Sequence, residues 1–215
     1  MAKACSAVAF DFDGVVLESM EVKTRAFEAL FAPEGPEAAS AIVAHHKANG
    51  GISRFEKFRY AYREILKRPL GTREEKALGE RFNALVEEAV AASEWVSGAR
   101  EFLEAHHERL PLFVASGAPQ EELRRIVEKR GLTLFFRGIY GTPETKEQIL
   151  MRIASGLRCG PEAIFMIGDA LSDYEGARKT GTRFIGRVRP GEKSPFPPGT
   201  RILPDLRDLA RELGL

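Results

Sequence analysis

Residues 7–19, AVAFDFDGVVLES, decide how the rest of the chain is read. An apolar run ends in Asp11 and Asp13, one residue apart, and Gly14 follows at once. Along a strand, residues i and i+2 point to the same side, so both carboxylates can face one small volume. Carboxylates that close repel each other, and folding gains nothing from the repulsion. Asp and Gly are also common turn residues. Taken alone, the stretch is therefore either a solvated turn or a seat for something positively charged.

The same grammar recurs twice. LPLFVA (110–115) runs into Ser116-Gly117, and AIFMIG (163–168) runs into Asp169. Continuous apolar runs of strand length are expected of strands buried on both faces of a parallel sheet. Helical patterns alternate with them: REFLEAHHERL (100–110), PQEELRRIVEKRGL (119–132) and KEQILMRIASGL (146–157). LFFRGIYG (134–141) and TRFIGRV (182–188) read as further strands, and DLRDLARELGL (205–215) as a closing helix. This alternation predicts an α/β fold with a doubly wound parallel sheet, whose ligands bind at the carboxyl ends of the strands. Residues 17–96 break the rhythm with four helical patterns and no strand between them. They are expected to form an all-helical insert after the first strand, leaving 1–16 and 97–215 as the α/β core. Ser97-Gly98 would permit a hinge, and Trp95 is read as packing between the two parts.

Composition narrows the function. With 32 Lys+Arg against 31 Asp+Glu, no field exists to draw in nucleic acid or an anionic membrane. The N-terminal MAKACSAVAFDFDG does not read as a signal peptide, and no apolar run approaches the roughly 20 residues that span a bilayer. Cys5 and Cys159 stand alone and read as buried reduced thiols. A cytoplasmic location is expected. The Pro/Gly-rich basic stretch RVRPGEKSPFPPGTR (187–201) reads as a solvated surface loop.

The strand ends carry the chemistry. Ser116 and Gly117 offer a hydroxyl and an accessible N–H, and Lys146 opens a helix after YGTPET. Asp169 ends a strand, and Asp173 lies four residues on, where Asp also serves as a helix cap. Each feature has an ordinary structural reading, but together they place Asp11, Asp13, Asp169 and Asp173 at one sheet edge. Four clustered carboxylates are tolerable only around a cation, and all-oxygen ligands suit Mg²⁺. Cation, lysine, hydroxyl and N–H groups make a receptor for a phosphoryl group. Neither GxxxxGK[ST] nor GxGxxG is present, so an Asp becomes a candidate covalent nucleophile.

The ordered set DFDGV, Ser116, Lys146 and GDALSD resembles the haloacid dehalogenase-like hydrolases over roughly residues 7–190. The long helical insert looks like that superfamily's first cap type, and the 30 residues from Ser116 to Lys146 leave no room for the second. Within the superfamily the chain is similar to the phosphoglycolate phosphatase-like and phosphoglucomutase-like branch. The resemblance implies that Asp11 attacks phosphorus to form an aspartyl-phosphate, and that Asp13 serves as general acid and then base. It assigns Mg²⁺ to the Asp11 carboxylate, the Asp13 backbone carbonyl and Asp169, with Asp173 in support. Ser116 and Gly117 would bind the phosphoryl group, and Lys146 would neutralise charge beside it. Lys146 is followed by Glu where many relatives have Pro, and Lys23 stands where a His is frequent. A small phosphorylated metabolite is the implied partner. Phosphoglycolate, a sugar phosphate and a nucleotide all stay open, as does the oligomeric state. A phosphomutase and a non-catalytic phosphate-binding protein are the alternatives, and retention of both Asp11 and Asp13 speaks against the latter.

One further expectation concerns the insert. Ser53-Arg54-Phe55-Glu56 has the form of a capping box, and Phe55, Phe58, Tyr62 and Ile65 recur at helical spacing as insert core. Gly50-Gly51 breaks the preceding helix. Either residues 46–54 contact the substrate beyond its phosphate, with Arg54 favouring an anionic or hydroxyl-rich group, or the loop is a plain turn with Arg54 in solvent and His45 and His46 on the surface.

Overall fold

The computed structural model describes residues 5–215. The first four residues, part of the stretch read as carrying no export signal, lie outside the described residues. Strands β1 (Ala7–Phe10), β2 (Leu112–Pro119), β3 (Gly138–Thr142), β4 (Ile164–Gly168), β5 (Arg183–Arg187) and β6 (Ile202–Leu203) form one sheet in the order β3-β2-β1-β4-β5-β6. Every pairing is parallel. The connection leaves β1 toward β2 on one side and later returns to β4 on the other. The crevice between β1 and β4 is thus the topological switch point, where such sheets bind ligands.

Alternation along the strands sorts the core into two faces. Val8, Phe10, Leu112, Val114, Phe165 and Ile167 face one side, while Ala7, Ala9, Phe113, Ala115, Ile164 and Met166 face the other. Small alanines on the second face let α7 (Lys146–Leu157) lie close, burying Ile149, Leu150 and Ile153. Thr145 and Gln148 cap that helix reciprocally, which fixes where Lys146 begins. Helices α5 (Ala99–His106), α6 (Gln120–Lys129), α8 (Leu171–Thr180) and α9 (Leu209–Leu213) complete the layers.

Between β1 and β2 lie α1 (Met20–Phe31), α2 (Pro36–Ala48), α3 (Arg54–Tyr60) and α4 (Thr72–Ala91), with α3 running on into a π-helical turn over Ala61–Ile65. Ser53 caps α3 by accepting from the Phe55 N–H at 3.4 Å. Phe27, Phe31, Phe58 and Phe82 pack ring against ring at 5.0–6.2 Å. Phe58 and Tyr62 are buried there as expected, while Phe55 and Ile65 are only partly covered. The two segments that connect this insert to the sheet run side by side, with Glu18 donating to Glu94 O at 2.8 Å and Val96 to Val16 O at 3.1 Å.

Several expectations need correction. The strand read from Leu134 starts only at Gly138, after a 3₁₀ turn over Thr133–Phe135. Leu134 is 66% exposed, so no second buried face holds that segment extended. Strand β6, two residues long, is too short to leave a periodic signal. Ser97-Gly98 is pinned, because Leu206 donates to Ser97 O at 2.9 Å. The thiols of Cys5 and Cys159 are free but half-buried. The basic stretch after β5 is not all solvated. Arg187 is buried, donating to Gly14 O and Pro204 O at 3.1 Å each and pairing with Glu18, and Phe196 packs on Phe184. Among the described residues, no helix is long and apolar enough to cross a membrane.

Candidate active site

Asp11 leaves β1 with its N–H still bonded to Ile167 O of β4 at 2.8 Å, so the sheet itself fixes its direction. The carboxylates of Asp11, Asp169 and Asp173 converge there, each offering an oxygen within 4.8 Å of the others. Asp173 is fully buried in the first turn of α8, and one of its oxygens accepts from the Ala170 N–H at 3.1 Å. Capping and site are thus the same residue. Lys146 reaches in from α7: its Nζ lies 2.8 Å from Asp11 Oδ1 and 2.7 Å from Asp173 Oδ1, and donates to Ala115 O at 2.5 Å. One ammonium therefore ties the ends of β1 and β2 to the first turn of α8.

The electrostatics of this cluster are unbalanced. Burial pushes the Asp11 carboxyl up; Lys146 opposes it, Asp173 and Asp13 reinforce it, and the outcome is about 7. Burial, then Asp11 and Asp173, hold Asp169 well above the usual carboxylate range. Burial would lower Lys146, but its two carboxylate partners outweigh it and keep the amine above its ordinary value. With all three carboxylates ionised, one ammonium leaves two negative charges, which is the deficit a divalent cation would fill. Hard oxygen donors grouped this closely fit Mg²⁺.

Gly14 makes the geometry possible. Its φ is +77°, and a Cβ there would stand 2.2 Å from the Asp169 carboxylate. The glycine that turns the chain after Asp13 also gives Asp169 its room.

Asp13 behaves differently from Asp11, and the expected four-carboxylate cluster contains three. Its Oδ1 accepts from Ser19 Oγ at 2.6 Å, and its Oδ2 is ion-paired with Lys23. Burial alone would raise Asp13, but Lys23 and Ser19 outweigh it and hold the carboxyl below its ordinary value. Held this way, the Asp13 carboxylate takes no part in the cluster. Its backbone carbonyl remains the atom to which the resemblance assigns the ion. Lys23, noted in the sequence only as a departure, is thus a member of the site.

Ser116 is 2% exposed and its Oγ accepts from the Ala118 N–H at 3.1 Å. The insert closes directly over Gly117: a Cβ there would lie 2.3 Å from Gly51 O. Ser172 Oγ donates to Gly50 O at 3.2 Å. Gly50-Gly51, expected to break a helix and leave a flexible loop, is therefore clamped between two core loops, where only glycines allow the backbones to approach so closely. Beneath it lies a cavity of about 50 Å³ lined by Asp11, Asp13 and Ser116 from the core and by His46, Arg54 and Lys57 from the insert. A wider groove of about 750 Å³ runs past Asp169 between α2, α8 and the segment after β5.

Arg54 is in this cavity wall, 6% exposed, and not in solvent. Its guanidinium donates to Asn83 Oδ1 and Glu122 Oε1 at 2.5 Å each and lies 4.3 Å from the centre of the Phe82 ring. Glu122 belongs to α6 of the core, so this buried ion pair crosses from insert to core. His46 is likewise buried, stacked 4.2 Å from Phe27, whereas His45 stacks on Tyr60. The plain-turn reading of residues 46–54 is overturned. Glu122 and Lys57 were not singled out in the sequence. The available signal was Glu122 sharing the buried face of α6 with Leu123 and Ile126, and Lys57 standing one turn after Arg54.

An acid cluster bridged by one lysine thus sits at the switch point of a doubly wound sheet, beneath a helical insert. The sequence matches the haloacid dehalogenase-like hydrolase family over residues 5–181, and the chain belongs to that family. Against curated proteins the sequence has no match. Among solved structures it is similar to a predicted phosphoglycolate phosphatase from Haemophilus somnus 129PT, with 18% identity, TM-score 0.75 and 99% of each chain covered. It is also similar to β-phosphoglucomutase from Clostridium difficile, with 17% identity, TM-score 0.76 and coverage of 97% of this chain and 94% of that one. A magnesium-bound Bacillus subtilis protein described as the HAD-hydrolase YfnB shares 16% identity at TM-score 0.74, over 99% of this chain and 100% of that one. At these identities the likeness is one of fold.

Proposed function

We propose that this chain is a Mg²⁺-dependent phosphatase of small phosphomonoesters that works through an aspartyl-phosphate, with residues 17–96 as a cap over the core. The observation that carries this reading is the single Lys146 ammonium bridging Asp11 and Asp173 at the switch point. Asp11, Asp169 and Asp173 would hold the ion with the Asp13 carbonyl, and the ion would neutralise charge on the phosphoryl oxygens. Asp11 then attacks phosphorus, and the bond to the leaving oxygen breaks as the Asp11–phosphorus bond forms. Ser116 Oγ and the Gly117 N–H bind the phosphoryl oxygens, and Lys146 offsets their charge.

Asp13 supplies and recovers the proton. Alone, paired with Lys23, its carboxyl is ionised; a phosphoryl dianion arriving beside it adds negative charge and favours protonation. It hands that proton to the leaving alcohol, and in the second half it takes one from the water that hydrolyses the aspartyl-phosphate. Loop 50–52 must lift from Gly117 and Ser172 to admit substrate, and closure then excludes water other than the attacking one.

The test is phosphate release across a panel of phosphomonoesters, with Mg²⁺ and with chelator, together with detection of isomerised sugar phosphate. Mg²⁺-dependent release of free phosphate is expected. Isomerisation without release would make the chain a mutase, and turnover of nothing in the panel, p-nitrophenyl phosphate included, would overturn the reading.

A further inference from the structure

The insert side of the cavity holds three cations, and only two of them are answered. Lys23 pairs with Asp13 and Arg54 with Glu122. Lys57, 4% exposed, has no carboxylate partner among the described residues; its Nζ donates to His46 Nδ1 at 3.0 Å and His46 O at 3.3 Å and lies 5.8 Å from the centre of the Phe27 ring. An ammonium so buried is costly unless an anion meets it. Burial, with Lys23 adding to it, pulls this amine down to about 7 against the attraction of Asp13 and Asp169.

His46 gives an independent sign of the same deficit. Burial and Lys57 hold the ring neutral, with a pKa of about 3. Its Nδ1 accepts from the Lys57 ammonium, so the ring proton sits on Nε2. That Nε2 is buried and has no hydrogen-bond partner. Both residues line the same cavity, and among the described residues no carboxylate pairs with Lys57 and no acceptor meets His46 Nε2.

We propose that Lys57 and His46 form a second anion-binding site, across the cavity from the phosphoryl pocket, that selects substrates carrying a further negatively charged oxygen group away from the transferred phosphate. This rests on the phosphatase reading and narrows its substrate class. A carboxylate and a second phosphate offer the same chemistry here: anionic oxygens that accept from both Nζ and Nε2. The anion supplies the charge that Lys57 lacks and the acceptor that His46 lacks. Part of its binding energy is thus the relief of a cost already present in the folded protein.

Matched probes test this. Glycerol 3-phosphate and 3-phosphoglycerate differ by a hydroxymethyl against a carboxylate; glucose 6-phosphate and glucose 1,6-bisphosphate differ by a second phosphate. kcat/KM is measured for both pairs with the wild type and Lys57→Met. In parallel, calorimetry measures binding of the same four compounds to Asp11→Asn with and without Lys57→Met, so that affinity is read without turnover. The doubly anionic member of at least one pair should be preferred tenfold or more by the wild type, and Lys57→Met should bring that ratio toward one. The pair that responds identifies carboxylate or phosphate. The melting temperature without ligand should hold or rise in Lys57→Met. No preference in the wild type, a preference that survives Lys57→Met, or a large loss of unliganded stability would each overturn the proposal. If nothing is turned over, the phosphatase reading fails, and the calorimetric ratio still decides the anion site.

Discussion

The two sides of one cavity carry opposite imbalances. On the core side, Asp11, Asp169 and Asp173 outnumber Lys146; on the insert side, Lys57 stands with no carboxylate beside Lys23 and Arg54, which have theirs. The core imbalance is built on two strand ends and the first turn of α8, whose directions the sheet fixes and whose crowding raises Asp11 and Asp169 above the ordinary carboxylate range. The insert imbalance is built on helix faces, and the pair Arg54–Glu122 holds that side against α6 of the core. On the proposed reading, the core side would carry the reaction and the insert side would choose among substrates.

The comparison breaks first at Asp11. Asp11→Asn keeps the shape but not the nucleophile, and phosphate release should fall by about 10³-fold or more. A rate near that of the wild type in a phosphate-release assay would mean the strand-end cluster is not the reacting centre.

The tie between the two sides should cost stability when half of it is removed. Arg54→Ala strands a buried Glu122 carboxylate, and unfolding in urea should show a loss of about 3–5 kcal/mol. Arg54→Leu with Glu122→Leu should recover most of it. If the single variant loses no more than the double, the pair does not hold insert to core.

Asp169→Ala sharpens the contrast. The Mg²⁺ concentration for half-maximal rate should rise by about tenfold or more, while thermal stability in chelator holds or rises because one repelling charge is gone. A clear fall in metal-free melting temperature would make Asp169 structural.

The last effect is a slope in pH. Lys57 titrates near 7 in the folded chain against an ordinary 10.5. Between those values the unfolded state binds more protons, so the contribution of Lys57 makes stability increase as pH rises, by up to about 1.4 kcal/mol per pH unit. Denaturation curves from pH 7 to 9.5 should show that increment in the wild type and lack it in Lys57→Met.

The sheet and its acidic edge are legible in the sequence because parallel strands buried on both faces announce themselves as apolar runs, and their polar ends mark one edge. AVAF before Asp11 and AIFMIG before Asp169 needed no knowledge of what packs against them. Lys23, Lys57, Glu122 and Arg187 were not legible in that way. A charged residue in an amphipathic helix or basic loop looks the same whether it faces water or a buried partner 68 residues away, as Arg54 and Glu122 are.

The sequence by itself determined the alternating layers, the strand-end acids and the presence of a helical insert, since each is written in local periodicity and in residue type at fixed spacing. Only the tertiary structure decided that Asp13 leaves the acid cluster for Ser19 and Lys23, that Gly51 closes on Gly117, and that Lys57 and His46 face the cavity unanswered. Those outcomes depend on which distant surfaces meet, and burial by a remote segment sets the charge state of a group without leaving a mark in its own neighbourhood of the chain.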